Sequence, residues 1–429
     1  MNLDPIQTLN LVEIAFNAAG YPQEAASQVQ RPQAGGGFTR SINTDGFGIV
    51  VLDLILNKNG NLNLIEANGS NAAGSSFGSR DGDLARAMHQ AEAARERIKK
   101  VERGVVLIAY AAGTGAMPEI ITRAALVRDV ISPIRSCYLA DTLVGLVDSA
   151  ITVVADTVEK IADHIGVYNG ALRFAGVPVV SAGNVNLLPE LVRRGVVARE
   201  GASYAVDTSV FHDGPLVSLI HDKGAQQDIA AGTGIVPLRW RECNDMASCA
   251  KAVAEMQALG LACVAKMNGG SGGAGIEFFG PTYTSEEVAQ GLARVIEAAS
   301  SKYGDNIGRS VWPLRLFEFV ESTGYPLADG DHLWDMRIVC LIRPGVIDLT
   351  FSSIRVCPEP FIAGHFEKGT VLSNVTGRRP DLSTTLSPLV EFGTPTEHLR
   401  AGGVDEEILE RIIDASAKWC EAAWIYSTA

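Results

Sequence analysis

The hydrophobic pattern of the chain switches repeatedly between strand-like and helix-like spacing. Continuous apolar runs such as FGIVVLDLIL (residues 47–56) have the length and β-branched content of buried strands, whereas ILERIIDASAKWCEAAWIY near the C-terminus has helical spacing. The same criteria predict strands over 314–320, 335–343 and 346–357, and helices over 5–19, 83–102, 284–303 and 405–425. Because both kinds of element alternate, the chain is predicted to have an α/β or α+β fold.

One predicted hairpin carries candidate metal ligands. The strand at 47–56 returns through a turn at Asn57–Asn61 as LNLIEAN. This pairing puts Asp53 and Glu66 on adjacent strands, and Asn68, two residues on, lies on the same face as Glu66. Two carboxylates and an amide oxygen suit Mg²⁺ that also binds phosphate oxygens. A hydrogen-bonded structural turn is the alternative interpretation of the same residues.

A second hairpin is predicted at VAKMNGGSGGAGIEFF, residues 264–279. A strand with one lysine, Lys266, enters a loop with five glycines between 269 and 275, and a second apolar strand follows. Glycines let backbone N–H groups approach an anion without interference from a Cβ atom, so the loop could cover phosphates. The Gly-Lys-Ser/Thr ending of a Walker loop is missing. Taken alone, a flexible turn without a ligand fits the pattern equally well.

Composition narrows the class of protein. A chain of 429 residues can hold two or three domains, and its net charge of −13 argues against nucleic-acid and membrane-surface binding. No apolar run approaches the ~18 residues of a spanning helix, and the start of the sequence does not look like a signal peptide. We therefore expect a cytoplasmic enzyme. Seven cysteines without a CxxC pair are expected to be buried free thiols.

The segments after residue 221 occur in an order that resembles one superfamily. His221-Asp222-Lys223 begins a predicted helix, Lys266 precedes the glycine loop, and Leu316–Glu321 and Asp335-Met336-Arg337 come next. This order resembles the ATP-grasp superfamily. The resemblance implies that Lys223 and Lys266 hold the α and β phosphates of ATP.

The resemblance also implies further nucleotide contacts. The glycine loop would be the lid over the phosphates, the strand after the lid helix would line the adenine, and an acidic residue beyond it would bind the ribose. By position in this sequence these are Gly272, Gly273 and Gly275 for the lid, Glu318 and Val320 for the adenine, and Glu321 for the ribose. An ordinary solvated carboxylate is the alternative for Glu321.

The metal-binding ending of the superfamily, Gly-x-Asp followed by Glu-x-Asn, has its counterpart in the hairpin from Gly48 to Asn68. The resemblance therefore implies a circularly permuted ATP-grasp fold, in which the final helix leads into the Gly-x-Asp strand and the hairpin packs on a sheet formed by residues 314–357. Four regions are expected. They are the permuted metal hairpin and linker (1–82), a Rossmann-like pre-ATP-grasp domain (83–220), the small lid domain (221–310) and the large domain (311–429).

Similarity to peptide and amino-acid ligases implies catalytic roles near the γ-phosphate for Arg337, Arg355 and Asn374. The expected reaction uses ATP and Mg²⁺ or Mn²⁺ to join a small-molecule carboxylate to an amine through an acyl phosphate, with release of ADP and phosphate. A ligase for a carrier-protein thiol, an ATP-grasp kinase and a non-catalytic nucleotide sensor are the alternatives. A homodimer is possible, and the histidines His212, His332 and His365 are weaker candidates for a base.

Overall fold

Three sheets organise the chain, and two of them carry the candidate site residues. The computed structural model describes residues 38–69, 80–110, 134–139, 143–147, 150–183, 187–200, 203–268, 275–301, 310–372, 386–387 and 397–429. Strands and helices are mixed within this part of the chain, so the predicted α+β class is confirmed.

The largest antiparallel assembly, here called the large sheet, combines strands from both ends of the sequence. Its order is β3-β2-β19-β20-β1, and β21 also pairs with β20. The strands are β1 (Phe38–Ser41), β2 (Gly48–Leu56), β3 (Leu62–Asn68), β19 (Trp334–Arg343), β20 (Val346–Val356) and β21 (Leu386–Ser387). The long helix α10 (Glu406–Thr428) packs on this sheet and buries Trp419 completely. The apolar face of α10 therefore helps to hold the first and last strands in one core.

A second, mixed sheet lies in the middle of the sequence. Its order is β5-β6-β7-β4-β10-β9-β8, with β4 parallel to both β7 and β10. The strands are β4 (Gly104–Tyr110), β5 (Ile134–Leu139), β6 (Leu143–Val147), β7 (Ile151–Thr157), β8 (Ile165–Tyr168), β9 (Ala171–Phe174) and β10 (Val177–Ala182). Its helices are α1 (Arg80–Ile98), α2 (Val158–Asp163) and α3 (Leu187–Arg193).

A four-stranded antiparallel sheet, here called the lid sheet, contains the lysine strand. Its order is β13-β16-β14-β15, from β13 (Trp240–Cys243), β14 (Cys263–Met267), β15 (Ile276–Phe279) and β16 (Leu314–Glu318). Helices α6 (Met246–Ala258) and α7 (Ser285–Ala299) cover one face, and each begins with a capping box, at Asp245 and Thr284. The hairpin predicted at 264–279 is confirmed, because β14 pairs with β15.

The remaining elements connect these sheets. They are β11 (Arg199–Glu200), β12 (Ser203–Tyr204), β17 (Tyr325–Leu327), β18 (Gly330–His332), α4 (Val217–Ile220), α5 (Lys223–Ala230), α8 (Lys368–Val371) and α9 (Glu397–Ala401). Within the described residues, no helix combines the length and the apolar character needed to cross a membrane. Six cysteines have described side chains, and all six are buried free thiols as predicted.

The N-terminal hairpin pairs with the large sheet through β2 and β19. A prediction that it packs on a sheet of residues 314–357 is correct for 334–356 and wrong for 314–318. The latter strand belongs to the lid sheet, because its backbone is already paired on both sides by β13 and β14. The last turns of α10 reach the start of β2, where Trp424 Nε1 donates to Asp45 at 3.2 Å and Glu421 accepts from the Asn43 amide at 2.6 Å.

The close approach of Gly402 to Trp334 yields a test of this packing. A Cβ atom on Gly402 would lie 2.4 Å from the buried Trp334 ring, which starts strand β19. We expect Gly402→Ala to lower the free energy of unfolding by about 1–3 kcal/mol, the usual cost of overpacking a core. Denaturant unfolding measures the change. Gly166→Ala, where nothing lies within 4 Å of the added atom, is the control and should change stability by less than about 0.5 kcal/mol.

Candidate active site

Four cationic and three carboxylate side chains meet between the large sheet, α5 and the lid sheet. This charge cluster consists of Lys223, Lys266, Arg337, Arg355, Asp53, Glu66 and Asp335. Five of them expose less than a tenth of their surface, while Arg355 and Glu66 are slightly more open. Buried charges are costly unless they are paired, so the stability of the cluster depends on the ion pairs of each side chain.

The centre of the cluster is Asp53, whose side chain is 1% exposed. Arg337 Nε and Nη2 donate to its two carboxylate oxygens at 2.7 and 2.8 Å, a bidentate arrangement. Arg355 Nη2 lies 3.0 Å from Asp53 Oδ2 and 2.5 Å from Asp335. Strand register explains these pairs, because Arg337 lies opposite Asp53 and Arg355 lies opposite Asp335 in neighbouring strands.

The predicted metal ligands lie together at the β2–β3 edge of the large sheet. Glu66 is the register partner of Asp53, and the Asn68 amide nitrogen donates to both carboxylates at 3.1 Å. Rotation of this amide by 180° would present its oxygen at the same place. Residues Asp53, Glu66 and Asn68 therefore converge as the sequence predicts.

Lys223 reaches this edge from the first turn of α5. Asp222 caps the helix by accepting from the backbone of Gly224 and Ala225, and Asn268 Oδ1 accepts from the Lys223 backbone N–H at 3.0 Å. Lys223 Nζ then lies 2.5 Å from Glu66 Oε2. Burial by itself would raise the pKa of Glu66, but Lys223 and Lys266 together lower it below its ordinary value.

Lys266 projects from β14 and is 7% exposed. Burial lowers its pKa to about 8, although Glu66, Asp53 and Asp335 each favour the charged form. For Arg355, burial acts to lower the pKa, but the charges of Asp335 and Asp53 outweigh it and raise the pKa. Lys266 thus loses its charge at a lower pH than an ordinary lysine does.

The face of the lid sheet opposite α6 and α7 has two distinct bands. Register places Trp240, Phe317, Val264 and Phe278 in one row across the strands, and Glu242, Arg315, Lys266 and Ile276 in the next. The first row belongs to an apolar cluster that continues to Val320, Phe319 and Phe366. Lys266 Nζ lies 5.6 Å from the centre of the Phe317 ring, so the apolar band borders directly on the charge cluster.

The candidate adenine and ribose residues lie near this apolar band. Val320 packs against the apolar cluster, and Glu318 ends β16 with a half-buried carboxyl whose pKa is raised by burial. Glu321 forms an ion pair with Lys58 of the β2–β3 turn. Glu321 therefore already has a charged partner on the large sheet.

Other candidates are placed as follows. Gly275 has a positive φ of 67°, as a glycine in the turn before β15 should. Both nitrogens of His332 are within hydrogen-bond distance of Cys357 O and Asp329, which favours a structural role over that of a base. His212 is buried beside Gln90, and His365 is exposed. Gly272, Gly273 and Asn374 lie outside the described residues.

Sequence reasoning missed several members of the site. Asp335 was noted only as a neighbour of Arg337, although its position two residues earlier on the same strand puts both on one face. Arg315, 5% exposed, lies opposite Lys266 in register and 2.6 Å from Glu242. A charged residue inside an apolar strand was the available signal in both cases, but its partners depend on register between distant segments.

The donor set at Asp53, Glu66 and Asn68 consists of oxygens that Mg²⁺ prefers. The described residues contain no group of three or more His, Cys, Asp or Glu side chains arranged to hold a metal. The charge cluster has four positive and three negative charges, so its net charge is +1 when Lys266 is protonated. The residues therefore fit a magnesium ion that arrives with a polyphosphate, and they disfavour a bare cation.

Comparisons with known proteins add distant likenesses. No family model matches the chain, and no curated protein matches its sequence. A protein proposed to be a gamma-glutamylcysteine synthetase, from Methylobacillus flagellatus KT, is 11% identical with a TM-score of 0.49, over 99% of this chain and 97% of that one. A glutathione synthetase-like effector from Globodera pallida is 10% identical with a TM-score of 0.40, over 82% and 80%. These likenesses are too distant to assign an activity, which has to be inferred from the site.

The lowered pKa of Lys266 predicts a pH dependence for anion binding. A phosphate near Lys266 raises its pKa above about 8, so binding above that pH takes up a proton. The affinity for ADP should therefore fall above pH 8, by up to about tenfold per pH unit. Isothermal titration calorimetry between pH 7 and 9.5 measures this, and Lys266→Met should bind more weakly with a flatter profile. If the ADP affinity of both proteins fell equally with pH, Lys266 would not be the group that takes up the proton.

Stability should change in the opposite direction over the same range. The unfolded chain keeps the lysine proton up to about 10.5, and the folded chain only up to about 8. Because the unfolded state then holds more protons, the contribution of Lys266 to the free energy of unfolding rises between these values. Comparing wild type with Lys266→Met by denaturant unfolding isolates this contribution, which the variant should lack.

Proposed function

We propose that the protein is an ATP- and Mg²⁺-dependent ligase of the ATP-grasp type that joins a carboxylate to an amine. The observation that carries this proposal is the combination of an apolar band with a net-positive buried charge cluster on facing sheets. A nucleotide requires both, since its base is flat and largely apolar while its phosphates are polyanionic. The spacing along β14 and β16 puts the two requirements in adjacent rows.

The nucleotide is proposed to lie across the face of the lid sheet. Its base would contact the apolar cluster beside Val320 and the backbone near Glu318, and its phosphates would lie between Lys223 and Lys266. The glycine loop between β14 and β15 would cover the phosphates from outside. To bind the ribose, the Glu321 carboxylate would either release Lys58 and accept from a ribose hydroxyl, or accept from Lys58 and the hydroxyl together.

Asp53, Glu66 and Asn68 are the proposed ligands of Mg²⁺. The metal would supply positive charge that neutralises the β and γ phosphates and polarises the transferred group. The chain itself would contribute orientation, because Arg337, Arg355 and Lys223 hold these donors in place. Such support from neighbouring hydrogen bonds is a common feature of metal sites.

The proposed chemistry has two steps. A substrate carboxylate oxygen attacks the γ-phosphorus and the bond to the β-phosphate oxygen breaks, which gives an acyl phosphate and ADP. The amine nitrogen then attacks the acyl carbon, phosphate leaves with the bonding electrons, and the amine loses a proton. Arg337 and Arg355 would stabilise the negative charge that develops in both steps. The protein thus acts mainly by placing reactants and charges.

We further propose that the ATP-grasp domain is circularly permuted. In support, β2 pairs with β19 of the large sheet and β3 pairs with β2. The end of α10 forms hydrogen bonds with Asn43 and Asp45, just before β2. A short connection from α10 to β2 would therefore produce an order of elements in which the Glu-x-Asn segment comes last. The same contacts account for the position of Glu66 beside Lys223.

The reaction is tested by incubating the purified protein with ATP, Mg²⁺ and panels of carboxylates and amino acids. We expect ADP and phosphate in equal amounts with a joined product, and a hydroxamate when hydroxylamine replaces the amine. A stable phosphorylated product would indicate a kinase, and AMP would indicate an adenylate route. Joining of the carboxylate to a carrier-protein thiol would support the alternative acceptor.

Replacement of Arg355 by lysine should depress kcat by about 10- to 100-fold and change the KM for ATP less. Lysine keeps the charge but loses the planar fork that contacts Asp53 and Asp335 together. Steady-state kinetics with the accepted substrates measure the change. Arg343→Lys is the matched control, because Arg343 pairs with Asp348 on the same sheet. Similar kcat values for the two variants would contradict a catalytic role for Arg355.

Replacement of Glu66 by glutamine should nearly abolish Mg²⁺-dependent turnover. It should also strengthen ADP binding measured without Mg²⁺, because loss of one carboxylate raises the net positive charge of the cluster. Calorimetry with and without Mg²⁺ separates the two effects. Full Mg²⁺-dependent activity in this variant would show that Glu66 is not a metal ligand.

A further inference from the structure

One face of α5 contacts the edge of β3 with three successive polar side chains. Lys223, Gln226 and Gln227 are spaced i, i+3 and i+4, so they lie on the same side of the helix. Lys223 binds the Glu66 carboxylate, while the two glutamines bind the backbone of β3. Both glutamines are almost completely buried. These three polar side chains therefore interact with β3 instead of with solvent.

Gln226 satisfies both backbone groups of one residue. Its Oε1 accepts from the Ala67 N–H at 2.9 Å, and its Nε2 donates to the Ala67 carbonyl at 3.0 Å. Among the described strands, β3 is at the edge of the large sheet, so this amide takes the place of a neighbouring strand. The backbone of Gln226 is fixed in turn, because Trp419 Nε1 of α10 donates to its carbonyl at 3.2 Å.

Ala67 lies between Glu66 and Asn68. Side chains alternate along a strand, so Glu66 and Asn68 point to one face while Ala67 points to the other and is buried. A clamp on the Ala67 backbone therefore sets the position of both neighbouring side chains. We propose that Gln226 is a positioning residue that orients Glu66 and Asn68 for binding of Mg²⁺ with the nucleotide. This role rests on the proposed function.

Gln227 makes the same kind of contact at a different residue. Its Nε2 donates to the Leu64 carbonyl at 2.9 Å, and its Oε1 accepts from the Leu238 N–H at 2.8 Å. It has the same size, helix and burial as Gln226, but it does not bind the residue between Glu66 and Asn68. Gln227→Met is therefore the control for Gln226→Met. It loses two buried hydrogen bonds, whereas Gln226→Met also loses those that Nε2 donates to the Leu219 and Ile220 carbonyls.

The first measurement needs no ligand. Both variants should lower the melting temperature, and Gln226→Met by more, because it loses more buried hydrogen bonds. Hydrogen exchange followed by NMR should show the Ala67 amide exchanging at least about tenfold faster in Gln226→Met and unchanged in Gln227→Met. An unchanged Ala67 amide in Gln226→Met would overturn the clamp. If that variant fails to fold, Gln226→Glu retains the acceptor for the Ala67 N–H but loses the donor to its carbonyl.

The second measurement titrates Mg²⁺ into protein with ADP and follows binding by calorimetry. Gln226→Met should weaken the apparent Mg²⁺ affinity by about 10- to 100-fold, the usual effect of losing a residue that supports metal ligands. ADP binding without Mg²⁺ should stay near the wild-type value, and Gln227→Met should resemble wild type in both. Equal Mg²⁺ affinities in the two variants would overturn the positioning role. Failure of the wild type to bind Mg-ADP would instead reject the proposed function, while the Ala67 exchange still reports on the clamp.

Discussion

The structure of the site depends on the burial of the Asp53 carboxylate. An isolated charge at this depth would be prohibitively unstable, so Arg337 and Arg355 must both approach it. Two arginines around one carboxylate leave one excess positive charge. Asp335 and Glu66 more than cancel this excess, and Lys223 and Lys266 bring the net charge of the cluster back to +1. The net positive charge that suits a polyphosphate thus comes from the two lysines that are added to the compensated aspartate.

Helix α5 transmits this arrangement to the lid sheet. The side chain of Lys223, the first residue of α5, binds Glu66 of the large sheet. The backbone N–H of Lys223 donates to Asn268, which follows β14. Arg315 of β16 lies 3.6 Å from Asp222, the cap of the same helix. The Trp240 ring occupies the space that a side chain on Gly224 would need. A short helix therefore fixes the relative placement of the two lysines proposed to bind phosphate, although they come from different parts of the chain.

The sequence predicts the elements better than their partners. Strand β2, the hairpin to β3, the lysine hairpin and the final helix follow from periodicity and turn residues, and Asp53, Glu66 and Asn68 converge because hairpin register is local. The placement of 314–318 was wrong, since the choice between two sheets depends on pairing over long distances. Asp335, Arg315 and Gln226 were missed for the same reason: their roles exist only once β20, β14 and β3 lie beside them.

The free-energy cost of burying the charge cluster bears on its role. Replacing buried ion pairs with apolar residues of similar volume is often neutral or stabilising, so stability alone gives little reason to keep seven buried or partly buried charges. The excess charge also has a specific location. Burial lowers the pKa of Lys266 to about 8, so the carboxylates around this ammonium do not fully offset the cost of burying its charge. An anion placed beside Lys266 and the apolar band would supply the missing negative charge, and this unmet electrostatic requirement is the physical reason to regard the cluster as a binding site.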